Sequence, residues 1–238
     1  MPIAIAVDPT KVLRTEGFII ATFDGKNAAL ASAIAFTHQP KHAIKHLVSP
    51  PSRRGELGFK EVVTNPRDYN ISADGIVVTK NRAAAMYSRD CPITFLMDST
   101  KKIGVLLHCG RPAMTPTQGE SSRTHTIVTA GLETLKAYGS DVKDISAYIT
   151  AGICAQCFTH NLETDQELLF PFMAYYPQFV NQKTGDLDLI GMITAQLVEA
   201  GVAKTNIHHD EMCTKEHEGL ASKRGGDSDS NLVKAYVV

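Results

Sequence analysis

The chain has 238 residues, with 24 Lys+Arg against 25 Asp+Glu, so its formal charge is −1. Apolar residues make up 43% and charged residues 21%, an ordinary globular balance that excludes a collagen-like, coiled-coil or largely disordered chain. The absence of Trp, aromatics of only 7% and the lack of a global basic field argue against a nucleic-acid binder.

In chain order, apolar runs predict strands at Ile3–Val7, Gly17–Phe23, Ile76–Thr79, Ile93–Asp98, Ile103–His108 and Ile145–Thr150. Helical spacing predicts helices over Lys26–Phe36, Ser121–Tyr138 and Asp186–Ala200. Asp186 is the expected cap of the last helix and Gly201 its stop. The Pro- and Lys/Arg-rich stretch 40–54 reads as a long connection, and 225–231 as a loop. The interleaving of strands and helices gives an α/β or α+β class. Length and the lack of repeats suggest one domain over 1–238. The first residues lack a charged leader, and no apolar run reaches the ~20 residues of a membrane helix. Five Cys with no paired framework fit a reducing, cytoplasmic setting, with thiols free or bound to metal.

The stretch Ser88-Arg-Asp-Cys-Pro-Ile-Thr-Phe-Leu-Met-Asp98, followed by Ile103-Gly-Val-Leu-Leu-His-Cys-Gly110, is the most informative. If the two apolar strands pair antiparallel, Cys91 entering the first meets His108 leaving the second. A Cys and a His at one edge can share a metal or form a thiolate–imidazole pair. They can equally be a small core thiol and a half-exposed strand-end His.

Beyond spacing, the order of blocks carries a resemblance. Ala73-Asp-Gly-Ile-Val-Val-Thr79, Arg89-Asp-Cys-Pro-Ile93 and His108-Cys-Gly110 resemble successive blocks of the multicopper polyphenol oxidoreductase (laccase-domain, YfiH-like) family. Gly152-Ile153 to Cys157-Phe158, Asp186-Leu-Asp-Leu189 with Gln196-Leu197 and Gly201-Val202, and Cys213-Thr214 with Ser222-Lys-Arg224 continue it in the same order. The resemblance implies a three-layer α/β fold with mixed sheets and flanking helices. It also implies a metal, zinc or copper, held by one Cys and two His, and carries two of these onto Cys91 and His108. Such a set leaves an open coordination position, and zinc brings the pKa of a bound water to about 7.

The departures bear on activity. The family's first metal-binding His falls on Arg54, leaving His42 or His46 as substitutes, and its Trp-Arg-Gly is replaced by Arg111-Pro112-Ala113. An Arg in place of a ligand can hold phosphate or carboxylate instead. Four functions follow as expectations. The first is a metal-dependent purine nucleoside phosphorylase, with Cys91 and His108 catalytic and Arg54 and Arg224 holding phosphate. The second is a Cys–His hydrolase or amidase acting on a peptidoglycan precursor, with Cys91 as nucleophile and His108 as base. The third is a copper-dependent polyphenol oxidase, disfavoured because nine His include no His-x-His pair for a multicopper centre. The fourth is an inactive paralogue.

Other candidates have bland readings. Cys154-Ala-Gln-Cys157 has metal or redox spacing but lacks a second such pair, so it reads as a wall of the cleft. His208-His209-Asp210, near Cys213, reads as a solvated strand end. The run from Gly25 to Gly55 holds Lys26, Lys41, Lys45, Arg53 and Arg54 with no acid, a solvated loop or a phosphate attractor. Asp90 is expected to orient a ligand or the neighbouring backbone, and Asp74 to shape a turn ahead of Gly75.

Overall fold

The computed structural model describes residues 11–15, 18–23, 44–49, 62–63, 70–79, 83–118 and 124–237. The first sheet contains β1 (Lys11–Thr15), β2 (Phe18–Phe23), β3 (Ile44–Ser49), β5 (Asn70–Ser72), β7 (Ala83–Ser88) and β14 (Asn231–Val237), ordered β1-β2-β14-β7-β3-β5. The second contains β4 (Val62–Val63), β6 (Gly75–Thr79), β8 (Ile93–Asp98), β9 (Ile103–His108), β12 (Ile145–Ile149) and β13 (Ile207–His209), ordered β13-β12-β8-β9-β6-β4. Both sheets are mixed. A small ribbon pairs β10 (Thr117–Gln118) with β11 (Thr124–His125).

Alternation along the second sheet builds two cores, because successive side chains point to opposite faces. Ile76, Val78, Ile93, Phe95 and Leu106 face Ala84, Met86, Val233 and Ala235 of the first sheet. Val77, Leu96, Val105, Leu107 and Ile149 face the helices instead. The helices are α1 (Arg111–Met114), α2 (Ile127–Ala137), α3 (Gln166–Tyr175) and α4 (Leu189–Glu199). Leu132 and Leu135 of α2, Phe172 of α3 and Met192 and Ile193 of α4 complete that second core. Sheet, sheet and helices are the three layers expected, with mixed sheets and flanking helices.

Local chemistry trims the predicted helices. Thr126 caps α2, its backbone N–H reaching Thr129 Oγ1 at 2.9 Å, so residues 124–125 join a ribbon rather than the helix. Asp188, not Asp186, caps α4 by accepting the Gly191 N–H at 2.8 Å. Asp186 accepts the Thr159 and Thr184 hydroxyls at 2.7 and 2.6 Å. Gly201 does stop that helix, with φ +102°. The supposed long connection at 40–54 carries β3. The expected elements Ile3–Val7 and Lys26–Phe36 lie outside the described residues.

Candidate functional site

Strands β8 and β9 pair antiparallel with Ile93 opposite His108, and this register brings the Cys91 loop to the end of β9. Cys109 N–H donates to Pro92 O at 2.9 Å and closes the junction. Gly110 lies beside both side chains. A Cβ at that position would sit 2.8 Å from His108 Cε1 and 3.0 Å from Cys91 Sγ. Cys91 is half-buried and the His108 side chain 12% exposed.

Asp74 precedes β6 and is held beside the end of β9 by the β6–β9 ladder. Its main-chain carbonyl accepts the His108 N–H at 2.7 Å, and its carboxylate Oδ1 meets His108 Nδ1 at 3.0 Å. The turn role expected of Asp74 is therefore too small. Its side chain fixes the imidazole and leaves Nε2 for other chemistry. Burial alone would lower the His108 pKa, but its electrostatic and hydrogen-bond interactions with Cys91, together with Asp74, outweigh burial and raise it to about 10. Burial raises the Asp74 carboxyl above the usual range, with His108 opposing. Neighbouring Cys109 is fully buried beside the Thr94 hydroxyl, and burial pushes its thiol up to about 12, so it is inert.

The loop carrying Cys91 is tied from several directions. Asp90, 8% exposed, accepts the Ser222 hydroxyl at 2.6 Å, the Thr214 hydroxyl at 3.0 Å and the Arg224 N–H at 2.9 Å. Its carbonyl accepts the Ile153 N–H at 2.8 Å. Ser88 Oγ donates to the Cys91 carbonyl, and Asn231 Nδ2 to the Arg89 carbonyl at 3.2 Å. Residues remote in sequence thus converge on the backbone that presents Cys91.

Arg224, expected to contact an anion, donates from Nη1 to the Thr159 carbonyl at 2.6 Å, with its guanidinium 5.0 Å from the Phe158 ring centroid. His160 is buried beside this wall. Burial, then the charges of Arg111 and Arg224, hold its pKa below the ordinary imidazole value. Arg54, His42 and the basic residues Lys26, Lys41, Arg53 lie outside the described residues, and of His46 only the backbone, in β3, is described. Of His208-His209-Asp210, the two His are exposed, while Asp210 is buried and accepts the Tyr148 hydroxyl at 2.7 Å and the Ala151 N–H at 3.1 Å.

The expected zinc or copper site at Cys91 and His108 needs a third donor. Among the described residues these two draw no third His, Cys, Asp or Glu ligand atom to a common point, and Asp74 is spent on Nδ1. The positions expected to supply a third donor, His42, His46 and Arg54, have no described side chain. A different group does converge. Cys154, Cys157, Cys213 and Glu216 bring their ligand atoms within 4.8 Å of one another, a cluster able to hold a metal ion. Cys154 and Cys157, read from the sequence as a wall of the cleft, thus belong to a cluster able to hold a metal ion. The signal was in the sequence, since Cys213-x-x-Glu216 repeats the two-residue spacing of Cys154-x-x-Cys157 with a carboxylate in place of the second thiol.

Fold and site together define an α/β protein of the laccase-domain class. The chain belongs to the family described as multi-copper polyphenol oxidoreductase laccase, which it matches over residues 37–228. It is similar to a protein of Streptomyces griseus named purine nucleoside phosphorylase ORF3, at 27% identity over 175 residues. That match covers 71% of this chain, which spans about 65% of the relative's length. Among solved structures it is similar to YfiH of Bacillus licheniformis (TM-score 0.66, 14% identity, 89% of this chain and 79% of that one). YlmD of Geobacillus stearothermophilus matches with TM-score 0.67 and 14% identity over 94% of this chain and 97% of that one. A Neisseria meningitidis protein matches with TM-score 0.65 and 16% identity over 98% and 96%.

Proposed function

We propose that the chain is a Cys–His hydrolase, with Cys91 as nucleophile, His108 as proton carrier and Asp74 as the residue that positions the imidazole. The observation that carries this is the 3.0 Å contact of His108 Nδ1 with Asp74, with Cys91 hydrogen-bonded to the same side chain. The arrangement follows the logic of a nucleophile, a base and an orienting acid. Thiolate Sγ attacks an amide carbonyl carbon, His108 gives its proton to the leaving nitrogen, and the bond to that nitrogen breaks. Water then hydrolyses the thioester, with His108 taking its proton and the thiolate leaving. No metal is needed, which suits a Cys–His pair that gathers no third ligand atom among the described residues. The amidase expectation drawn from the family resemblance makes an amide of a peptidoglycan precursor the first substrate class to assay.

A second reading is favoured by the Streptomyces griseus relative: phosphorolysis of a purine nucleoside. The positive surroundings that Arg111 and Arg224 create around His160 support phosphate binding on that wall, with Arg54 as a further expected contact. His108 would then protonate the departing base.

One assay separates the two. Full-length protein, treated with chelator, is incubated with precursor amides and with purine nucleosides, with and without phosphate. Phosphate-independent amine release, abolished by Cys91→Ala and by thiol alkylation, is expected. Base release that requires phosphate and survives alkylation would replace the hydrolase with the phosphorylase.

A further inference from the structure

The cluster that runs from Cys154 to Glu216 is not used by the chemistry above, and its construction points to a ligand of its own. We propose that Cys154, Cys157, Cys213 and Glu216 form a closed zinc site that clamps the segment after β12 to the segment after β13. The site is separate from the Cys91–His108 pair and independent of the hydrolase reading.

Each half is a single turn that presents two donors. In the first, Cys157 N–H donates to Cys154 O at 3.1 Å, and in the second, Glu216 N–H donates to Cys213 O at 3.2 Å. The turns are registered by a Gly152–Cys213 parallel bridge and by Thr214 N–H donating to Gly152 O at 3.1 Å. Cys154 N–H points at Cys213 Sγ from 3.3 Å, a backbone donor suited to a thiolate.

The four ligand atoms lie within 4.8 Å of one another, close to the spread of a tetrahedral site. Zn–S bonds of about 2.3 Å and Zn–O bonds of about 2.0–2.2 Å place neighbouring ligand atoms roughly 3.5–3.8 Å apart. Glu216 Oε1 lies 3.6 Å from Cys157 Sγ, and Oε2 lies 3.9 Å from Cys154 Sγ. Three sulfurs and an oxygen are a borderline-soft set that favours zinc over magnesium or calcium. Four protein ligands leave no open position, so the ion is structural. All five cysteines are free thiols, so no disulfide competes for these sulfurs.

The clamp also bears on the catalytic loop. Thr214, next to Cys213, and Ile153, next to Cys154, both donate to Asp90, which precedes Cys91. Fixing the two turns on one ion fixes these two donors.

The test is elemental analysis of full-length protein purified in reductant without chelator. About one zinc per chain is expected in wild type and in Cys91→Ala, and its loss in Cys154→Ser and Cys213→Ser. Zinc lost with Cys91→Ala but kept in Cys154→Ser overturns the assignment. So does wild-type protein that, fully reduced, takes up no equivalent of added zinc. Because serine variants can fail to fold, cobalt-substituted wild type and Glu216→Gln provide a second reading. Intense thiolate-to-cobalt absorption in both, with altered ligand-field bands and weaker binding in Glu216→Gln, supports the site. Bound cobalt without thiolate absorption overturns it. Failure of the hydrolase assay leaves these metal readouts untouched, and a metal-free protein leaves the hydrolase untouched.

Discussion

Asp74 holds His108 twice, by its main-chain carbonyl at 2.7 Å and by its carboxylate at 3.0 Å from Nδ1. The first contact is a property of the fold and survives any side-chain change. The second orients the ring and, after Cys91, helps to hold its proton. Asp74→Asn therefore separates chemistry from folding. The variant is expected to keep its thermal midpoint within a few degrees and to lose roughly 10²–10⁴-fold in activity. In metal-free wild type, ¹⁵N NMR should find His108 protonated up to pH about 10, against an ordinary value of 6.5. Asp74→Asn should lower that midpoint. Because the folded value is raised, the stabilisation is complete below pH 6.5 and is lost as pH rises through about 10. A His108 that titrates near 6.5 in metal-free wild type would remove the charge argument.

Gly110 is required by the close approach of two side chains. A methyl group there would meet His108 Cε1 at 2.8 Å and Cys91 Sγ at 3.0 Å. Either the ring or the sulfur must move. Gly110→Ala is expected to reduce activity at least tenfold, since displacements of an ångström at a reacting pair cost about 10²-fold. Global stability should fall by about 1–3 kcal/mol, typical of overpacking. Steady-state kinetics and urea denaturation of the same preparation check both. Unchanged kinetics would show that the two side chains do not act as a unit.

How much of this the sequence carried depended on burial. β8 and β9 are covered on both faces, so Ile93–Asp98 and Ile103–His108 stand out as apolar runs with the bounds the structure gives them. The first sheet is less legible. β7 begins Ala83-Ala-Ala, and β14 carries Lys234 between Val233 and Ala235, so neither shows a clean apolar pattern. Cys91 and His108 could be paired from an assumed hairpin because the contact is local to two neighbouring strands. Asp74 could not be placed, since it reaches His108 through the β6–β9 pairing, which no turn signals. The cluster of three cysteines and Glu216 was half visible, because its two turns lie 59 residues apart and only folding juxtaposes them.

Lys234 makes the stability of this fold depend on pH in the alkaline range. It is 9% exposed on β14, across from Ala21 and Ala85. Burial lowers its pKa from 10.5 to about 8. A depressed Lys pKa means that between these values the unfolded chain binds the proton and the folded chain does not. Stability attributable to this group therefore rises with pH through that window and is flat below it. The full shift corresponds to about 3.4 kcal/mol at 1.36 kcal/mol per unit, of which about 2–3 kcal/mol falls between pH 7.5 and pH 10. Urea denaturation at pH 7.5 and pH 10 should show wild type gaining this much relative to Lys234→Met. Equal slopes for the two proteins would mean the ammonium keeps its proton in the folded state as readily as in the unfolded chain.

Asp90 is the point where the catalytic loop and the rest of the structure meet. Its carboxylate takes Oδ1 contacts from Thr214 and Ser222 and an Oδ2 contact from the Arg224 N–H. Hydrogen bonds to a charged group contribute about 1.5–3 kcal/mol each, and a buried donor left unsatisfied costs about 1–3. Asp90→Asn keeps the shape but can accept at only one of the two oxygens. It is expected to cost about 2–4 kcal/mol by denaturant melts. The physical consequence for function is more specific. Ser222 and Thr214 hold Asp90 from one side, and the Ile153 N–H holds its carbonyl from another, so their joint effect is the position of Cys91. Below the melting transition, Asp90→Asn should therefore show a Cys91 thiol that reacts faster with a bulky alkylating agent, yet a lower turnover, because the sulfur is freed from the ring that must share its proton. Zinc at the neighbouring cluster should remain bound, as none of its four ligands is Asp90. A variant with native alkylation rate and native turnover would show that the loop holds Cys91 without this carboxylate.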